Sequence, residues 1–340
     1  MTYNHEYYMA RALELAAHGR GNTSPNPMVG AVIVAPDGRI IGEGYHRRCG
    51  EGHAEVNAIA SVREGDRSLL RQSTMYVTLE PCSHWGKTPP CAKLIIDTGI
   101  PRVVVGAGDP FDKVAGRGIR MLRDAGVEVT EGVLAYCSCS LNARFMTAHR
   151  LHRPFITLKW AQSSDGFIDY QRSAEDEPAQ FSTPLTSMLV HRLRSLHDAI
   201  LVGSGTAIAD RPRLDCRLWS GRSPQPVILD RRGRITPDKV STAVEPIILR
   251  EYDSLADAMN WLYDRGITSV LVEGGAAVLQ SFVDDDLWDV VHVEVAPITF
   301  GGRGAACAPH IAARVATSFA VGSNTIAIYS KNPYFTVKNL

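Results

Sequence analysis

Apolar positions in the first half of the chain alternate between helical and strand periods. From Asn4 to Ala17, Tyr8, Ala12, Leu15 and Ala16 share one face at helical spacing and Gly19 supplies a stop, which predicts an opening amphipathic helix. Met28–Val34 and Ile40–Tyr45 read as strands joined by the turn Pro36-Asp37-Gly38. A helix carrying His53 follows, then strand Met75–Leu79, helix Pro90–Asp97 stopped at Gly99, strand Val103–Val105, helix Ile119–Asp124, Gly126 and strand Val127–Val129. Such alternation builds an α/β layer structure. In the second half, short apolar runs at Phe155–Trp160, Ala199–Val202, Val227–Leu229, Ile247–Leu249 and Val270–Val272 are separated by helical stretches, Pro184–Leu196 and Ser254–Arg265 among them. Ser182-Thr183-Pro184 is a helix start, a hydroxyl cap followed by proline. This half is α/β as well.

Length turns that pattern into two domains, because 340 residues at 45% hydrophobic content suffice for two cores. Periodicity weakens between Cys137 and Arg153 while Arg144, His149, Arg150, His152 and Arg153 gather ahead of Pro154. The boundary is placed near Ala148, giving domains 1–148 and 149–340. Charge narrows the partners: 36 basic against 36 acidic residues leave no net charge and no basic block, which argues against nucleic acid or a membrane surface and for a small-molecule substrate. The N-terminus lacks a signal pattern and no run is long enough to span a bilayer, so a cytoplasmic location is expected. Seven cysteines, an odd number, point to free thiols and metal ligands; Cys137-Ser138-Cys139 is read as free thiols.

Chemistry concentrates between His53 and Cys91. His53, Cys82 and Cys91 offer one imidazole and two thiolates, a set suited to zinc with its fourth position open to water, where bound water ionises near pH ~7. Glu55, two residues after the histidine, can carry a proton from the nucleophile to a leaving nitrogen without binding the metal. The pattern H-x-E…P-C…C is that of zinc nucleobase deaminases, with eight residues between the cysteines instead of two. The plainer reading is a structural zinc clip. His84, inside the cysteine loop, could replace a thiolate but would leave Cys91 without a role, and is read as a loop residue facing the pocket.

Pro25-Asn26-Pro27-Met28-Val29-Gly30, Gly44-Tyr45-His46, Gly52-His53-Ala54-Glu55-Val56 and the run from Thr78 to Cys91 with its Gly-Lys-Thr-Pro-Pro insertion resemble the deaminase half of the bifunctional riboflavin-biosynthesis deaminase/reductase family. The resemblance implies a cytidine-deaminase-like three-layer domain in which Asn26, His46 and Lys87 bind the pyrimidine and its ribose phosphate. Their chemistry agrees: Lys87 is a point charge, Asn26 can donate and accept, and His46 can donate; a solvated loop is the plain reading for Lys87.

Three places in the second half could receive a dinucleotide: Gly203-Ser204-Gly205-Thr206, Glu273-Gly274-Gly275 leading into a helix through Phe282, and Asp230-Arg231-Arg232. Glycines after strands are commonly plain turns, and the Arg231 pair is either a contact for a 2′-phosphate or a solvated turn. The family's reductase half is similar at Lys159, Asp165-Gly166, Arg194, Asp198–Gly203, Thr206, Asp210, Pro212, Leu214, Arg217 and Glu273-Gly274-Gly275. This implies a dihydrofolate-reductase-like domain binding NADPH. Lys159, Arg194, Leu214, Arg217 and Glu273 would face the substrate, while Ala161, Thr206, Asp210, Arg231, Gly274, Gly275 and Ala276 would face the cofactor. The chain departs from the family over 178–187, where a tryptophan is missing and Ser187 stands near an expected arginine, and at Arg211. His191 and Arg194, on one helix face, are expected to take over the phosphate, His191 in its protonated form.

The expected protein is therefore a homo-oligomeric (dimeric or tetrameric) enzyme of riboflavin synthesis. It would use zinc to deaminate 2,5-diamino-6-(5-phosphoribosylamino)pyrimidin-4(3H)-one and NADPH to reduce the ribosyl chain to ribityl. The rivals are a deaminase of another base with a noncatalytic second domain, and a metal-stabilised binding protein.

Overall fold

The computed structural model describes residues 4–85, 89–111, 115–170, 177–236 and 240–335. The chain divides into two compact units, Met1–Leu151 and His152–Lys338.

The first unit runs α1 (His5–Ala17), β1 (Gly30–Val34), β2 (Ile40–Tyr45), α2 (Ala54–Ala60), a 3-10 segment (Glu64–Gln72), β3 (Thr74–Leu79), α3 (Cys91–Thr98), β4 (Arg102–Ala107), α4 (Arg117–Asp124), β5 (Glu128–Glu131), α5 (Ala135–Leu141) and α6 (Ala143–Leu151). The sheet order is β2-β1-β3-β4-β5. β1 is antiparallel to both neighbours, with Ile33 opposite Gly42 and Met75, and β3, β4 and β5 are parallel. Successive strand side chains face opposite ways, so Ala31 and Ile33 enter a core with Ala54, Ala58, Ala92, Ile95 and Leu122 of α2, α3 and α4. Val32 and Val34 enter another with Met9, Ala12 and Leu15 of α1. Two cores on two faces make a three-layer α/β/α unit. The α2 layer sits close because Gly44 lacks a side chain: a Cβ there would stand 2.3 Å from the Ala58 nitrogen.

β1 starts at Gly30 rather than at Met28, because both backbone polar groups of Met28 are taken by the Asn142 side chain at 2.8 Å each. α5 and α6 fall in the stretch that shows little periodicity, where Ser138, Ser140, Asn142 and Thr147 are buried among the apolar positions.

The second unit runs β6 (Phe155–Ser163), β7 (Phe167–Tyr170), α7 (Pro184–Ser195), β8 (Ala199–Gly203), α8 (Ser204–Ala209), β9 (Gln225–Leu229), β10 (Ile247–Leu249), α9 (Leu255–Tyr263), β11 (Ser269–Val272), α10 (Ala276–Asp284), β12 (Val290–Ala296), β13 (Gly304–Cys307), β14 (Thr317–Val321) and β15 (Asn324–Ser330). An eight-stranded sheet has the order β10-β9-β8-β11-β6-β12-β15-β14, parallel through β12 and antiparallel over the last two pairings; β7 pairs with β13. Ile156, Leu158, Leu201 and Val272 pack on one face with Met259, Leu279 and Phe282, while Ile200, Val202 and Ile228 pack on the other with Ala207 and Leu214. α7 begins as expected, with Thr183 and Thr186 in a reciprocal capping box and Pro184 in the first turn. Strands β7 and β12 to β15, with the antiparallel pairings they make, and the helix α8 go beyond the expected elements.

Candidate active sites

In the first unit, strand and helix ends bring three soft ligands together. His53 is the N-cap of α2, Cys91 is the first residue of α3, and Cys82 follows β3. His53 Nδ1 lies 3.6 Å from the Cys82 sulfur and 3.4 Å from the Cys91 sulfur. Zinc bonds of ~2.3 Å to sulfur and ~2.0–2.1 Å to nitrogen at a tetrahedral angle separate S and N by roughly 3.6 Å, so the spacing fits. The thiols' electrostatics fit as well. Cys82 is pulled down to about 4 by hydrogen bonds from the Cys91 thiol and His53, while the same contact and burial push Cys91 up. Two sulfurs within 4.8 Å of one another, one buried and one half-buried, both ionise only with a cation between them. Among the described residues this is the one converging group of metal-ligating side chains, and all seven cysteines are free.

Glu55 is buried in the first turn of α2 and its carboxyl is pushed up to about 7, first by burial and further by the Cys82 thiolate, with His53 opposing. His46 Nδ1 donates to the Gly52 carbonyl at 3.2 Å, which leaves Nε2 to accept from the Asn26 amide at 3.3 Å. Asn26, His46, His53, Glu55, Cys82 and His84 line one cavity of 350 Å³. Lys87 lies outside the described residues.

The same cavity is walled by Asp109, Phe111, Phe145 and His149, which the motifs do not single out. Asp109 had a signal: it follows β4, the parallel neighbour of β3, and ligand groups collect beyond strand carboxyl ends. Its carboxyl is pushed up to about 6, first by burial and further by Glu80 and Cys82. Glu80 holds this loop by accepting from the backbone N–H groups of Gly116 and Gly118 at 2.9 Å each. Phe145 and His149 had none, being part of the stretch of weak periodicity.

In the second unit the carboxyl ends of β6, β8, β9 and β11 open on a cavity of 1160 Å³. Ala161, Thr206, Asp210, Arg231, Gly274, Gly275 and Ala276 all line it, together with Lys159 and Glu273. Thr206 Oγ1 accepts from the Gly275 N–H at 3.0 Å, tying α8 to the start of α10. Arg231, Arg232 and Arg234 line it too; the Arg231 guanidinium lies 4.2 Å from the Tyr252 ring centroid and donates to the Tyr252 and Asp253 carbonyls. Glycine backbone at a helix start with three arginines on the same wall is a donor set that fits a dinucleotide phosphate.

The remaining substrate candidates are not gathered at this wall. Arg194 Nε and Nη2 donate to Glu273 at 3.0 and 2.6 Å, and Nη1 donates to the Asp215 carbonyl at 3.0 Å. Burial raises the Glu273 carboxyl, but Arg194 outweighs it and holds the group below its ordinary value. Asp215 in turn binds Arg213 at 2.9 Å and Arg217 at 2.5 Å. Leu214 is buried with a left-handed φ of 52°. Only Lys159 and Glu273 of the five border the cavity. His191 is buried, its Nδ1 lacks a partner, and burial, Arg194 and Arg217 lower its pKa. That runs against the expectation of a protonated His191 beside a phosphate: burial, Arg194 and Arg217 disfavour the charged imidazole more than Asp215 and Glu273 favour it.

The first unit's residues 2–107 match the family model for the cytidine and deoxycytidylate deaminase zinc-binding region, and residues 154–320 match that for the RibD C-terminal domain. The riboflavin biosynthesis protein RibD of Bacillus amyloliquefaciens is 40% identical over 327 residues, covering 87% of this chain and 85% of that protein. The chain belongs to the RibD family. The Escherichia coli member is 36% identical over 333 residues, covering 87% of this chain and 88% of its own. Among solved structures, the Thermotoga maritima diaminohydroxyphosphoribosylaminopyrimidine deaminase/5-amino-6-(5-phosphoribosylamino)uracil reductase superposes with a TM-score of 0.81 at 38% identity, covering 95% of this chain and 97% of that one. The Acinetobacter baumannii RibD gives 0.83 at 31% identity, with coverage of 95% and 98%. Among the described residues, no helix is long and apolar enough to cross a membrane.

Proposed function

We propose that the 350 Å³ cleft is the deaminase centre and the 1160 Å³ cleft the reductase centre of one bifunctional enzyme. The chain is a RibD-type deaminase/reductase of riboflavin biosynthesis, with a zinc-binding deaminase region and an NADPH-dependent reductase region. Its first reaction removes the 2-amino group of 2,5-diamino-6-(5-phosphoribosylamino)pyrimidin-4(3H)-one as ammonia; its second reduces the ribosyl group to ribityl. The unit Met1–Leu151, which runs past the boundary expected near Ala148 and so keeps His149 with the first cleft, serves the first reaction, and the unit His152–Lys338 serves the second.

His53, Cys82 and Cys91 hold the zinc, which when bound supplies the Lewis acidity that makes water a nucleophile at neutral pH. Glu55 takes the proton that the attacking water loses and delivers it to the departing nitrogen; burial gives its carboxyl the basicity this needs. Asn26, with its amide fixed against His46, orients the pyrimidine edge, and Lys87 meets the phosphate. In the second unit NADPH supplies the hydride when bound. Gly274, Gly275 and Ala276 present backbone to its phosphates, Arg231 meets the 2′-phosphate, and Ala161, Thr206 and Asp210 complete the wall. Lys159 and Glu273 face the substrate directly; Arg194, Leu214 and Arg217 hold that side from behind.

The observation that carries this reading is the convergence of His53, Cys82 and Cys91 beside the buried carboxyl of Glu55. The test is a coupled assay on the purified protein with zinc analysis: ammonia release from the diaminopyrimidine, then NADPH oxidation on the deaminated product. Ammonia release without NADPH oxidation would leave a deaminase with a noncatalytic second unit; neither activity would leave a binding protein. The chain is further proposed to act in the cytoplasm as a dimer or tetramer, which fractionation and sedimentation would check.

A further inference from the structure

The 350 Å³ cavity extends past the zinc-binding region. The matched region ends at residue 107, yet Asp109, Phe111, Phe145 and His149 line the same cavity. Two of these come from α6, and the residue just ahead of that helix is Asn142, whose carbonyl accepts from the Met146 N–H at 2.8 Å. Residues three and seven positions along a helix share a face, so Asn142, Phe145 and His149 form one stripe. Phe145 and His149 line the cleft, and Asn142 acts on it through the loop that carries Asn26. The Asn142 side chain, almost fully buried, accepts from the Met28 N–H and donates to the Met28 carbonyl, which pins the loop carrying Asn26 two residues earlier. The Phe145 ring meets the His149 ring edge-on at 4.4 Å between centroids, and His149 stands 5.0 Å from Phe111. Three half-buried rings in contact, opening on a cavity rather than closing into a core, leave an aromatic wall beside the metal ligands.

We propose that the α6 stripe builds the substrate selectivity of the deaminase: Phe145, His149 and Phe111 form the wall on which the flat pyrimidine ring packs, and Asn142 is the positioning residue that sets Asn26 against its edge. This rests on the reading of His53, Cys82, Cys91 and Glu55 as the deaminase centre. A bare zinc-binding region can activate water for any amino-pyrimidine; the ring that enters is chosen by the surfaces around it. Flat heteroaromatic rings gain from stacking on aromatic side chains whatever their edge pattern, while the edge is read by a fixed amide, so the two devices divide recognition between face and edge.

The test uses the zinc-loaded full chain and reads deaminase kcat and KM, zinc per chain and the reductase rate. His149→Ala is expected to raise KM for the diaminopyrimidine by about 10-fold, the size of one lost stacking contact, with zinc and reductase rate unchanged. His149→Phe, which keeps a ring, is expected to stay within about 2-fold of the parent, and Asn142→Asp, which can still accept from Met28 but no longer donate to it, to raise KM by about 5-fold. Wild-type kinetics in His149→Ala and Asn142→Asp would overturn the proposal. So would a His149→Phe that fails as badly as His149→Ala, because the imidazole would then act as a polar group, and so would a fall in activity that tracks lost zinc. Failure of the underlying site reading shows elsewhere, as a Glu55→Gln chain that still releases ammonia at the parent rate.

Discussion

Glu55 and Asp109 in the first unit and Glu273, Asp215 and Asp230 in the second are shifted in opposite directions. In the first unit, burial outweighs the opposing His53 and pushes Glu55 up to about 7, and burial with no cationic side chain beside it pushes Asp109 up to about 6. In the second, Glu273, Asp215 and Asp230 are also desolvated, but each is held below the ordinary carboxylate range by facing arginines and, at Asp230, by the backbone N–H groups of Ile235 and Arg234. The difference follows the chemistry. Hydrolytic deamination moves a proton twice through one side chain, which works when that group's pKa lies near the working pH. Hydride transfer from a dinucleotide needs anionic ligands held in register, which fixed arginines and paired carboxylates provide without exchanging protons.

The sharpest break of this comparison is Glu55→Gln, which keeps the shape and removes the basicity. Ammonia release is expected to fall by about 100-fold or more while zinc content and NADPH oxidation persist; loss of zinc would make Glu55 a ligand instead. Next comes Arg194→Met in the other cleft, which leaves the Glu273 carboxylate buried without its partner. The second unit is expected to lose about 3–5 kcal/mol of stability in denaturant titration, with deamination intact. A double change, Arg194→Met with Glu273→Gln, is expected to recover part of that loss; no recovery would mean the pair is not what holds this wall.

A pH series sharpens the contrast further. Glu273 has a folded pKa below its unfolded value of ~4.3, so its contribution to stability is complete above that value and lost as pH falls through the folded pKa. Asp109 has the opposite sign: raised to about 6 in the fold, it favours the folded state most below its unfolded value of ~3.9, and that benefit is lost as pH rises through about 6. Hydrogen exchange resolved by unit should therefore show the second unit weakening below pH ~4 and the first weakening between pH ~4 and ~6. Asp109→Asn, which can still accept from the Phe111 N–H, should reduce the first unit's weakening and leave the part that Glu55, raised to about 7, contributes with the same sign. The smallest expected change is Thr206→Val, which deletes the acceptor for the Gly275 N–H. A loss of about 1 kcal/mol predicts a KM for NADPH raised about 5-fold with deamination unaffected; an unchanged KM would remove Thr206 from the cofactor wall.

Much of the architecture was legible in the chain because it rests on local patterns. The alternation of helical and strand periods located most of the first unit and the parallel strands of the second, and Thr183-Pro184 marked the start of α7 where it lies. Strands β12 to β15 and their antiparallel pairings were not legible. Their residues, such as Val290–Ala296, are apolar runs whose partners lie far along the chain, and no local signal states the direction of pairing. The short helices α5 and α6 were hidden for another reason: their buried positions are filled by Ser138, Ser140, Asn142 and Thr147, which carry no hydrophobic period.

The sequence by itself picked out the candidate reacting groups. A histidine, a glutamate two residues on and two cysteines define a ligand set and a proton carrier through residue type and spacing, and such chemistry depends little on what surrounds it. Only the tertiary structure decided the state and company of those groups. It placed Asp109, Phe111, Phe145 and His149 on the wall of the same cleft, let Asn142 hold Met28 across 114 residues of chain, and closed Arg194 onto Glu273. Burial and long-range pairing set a pKa or occupy a hydrogen bond through distances between atoms, and those distances come into being when the chain folds.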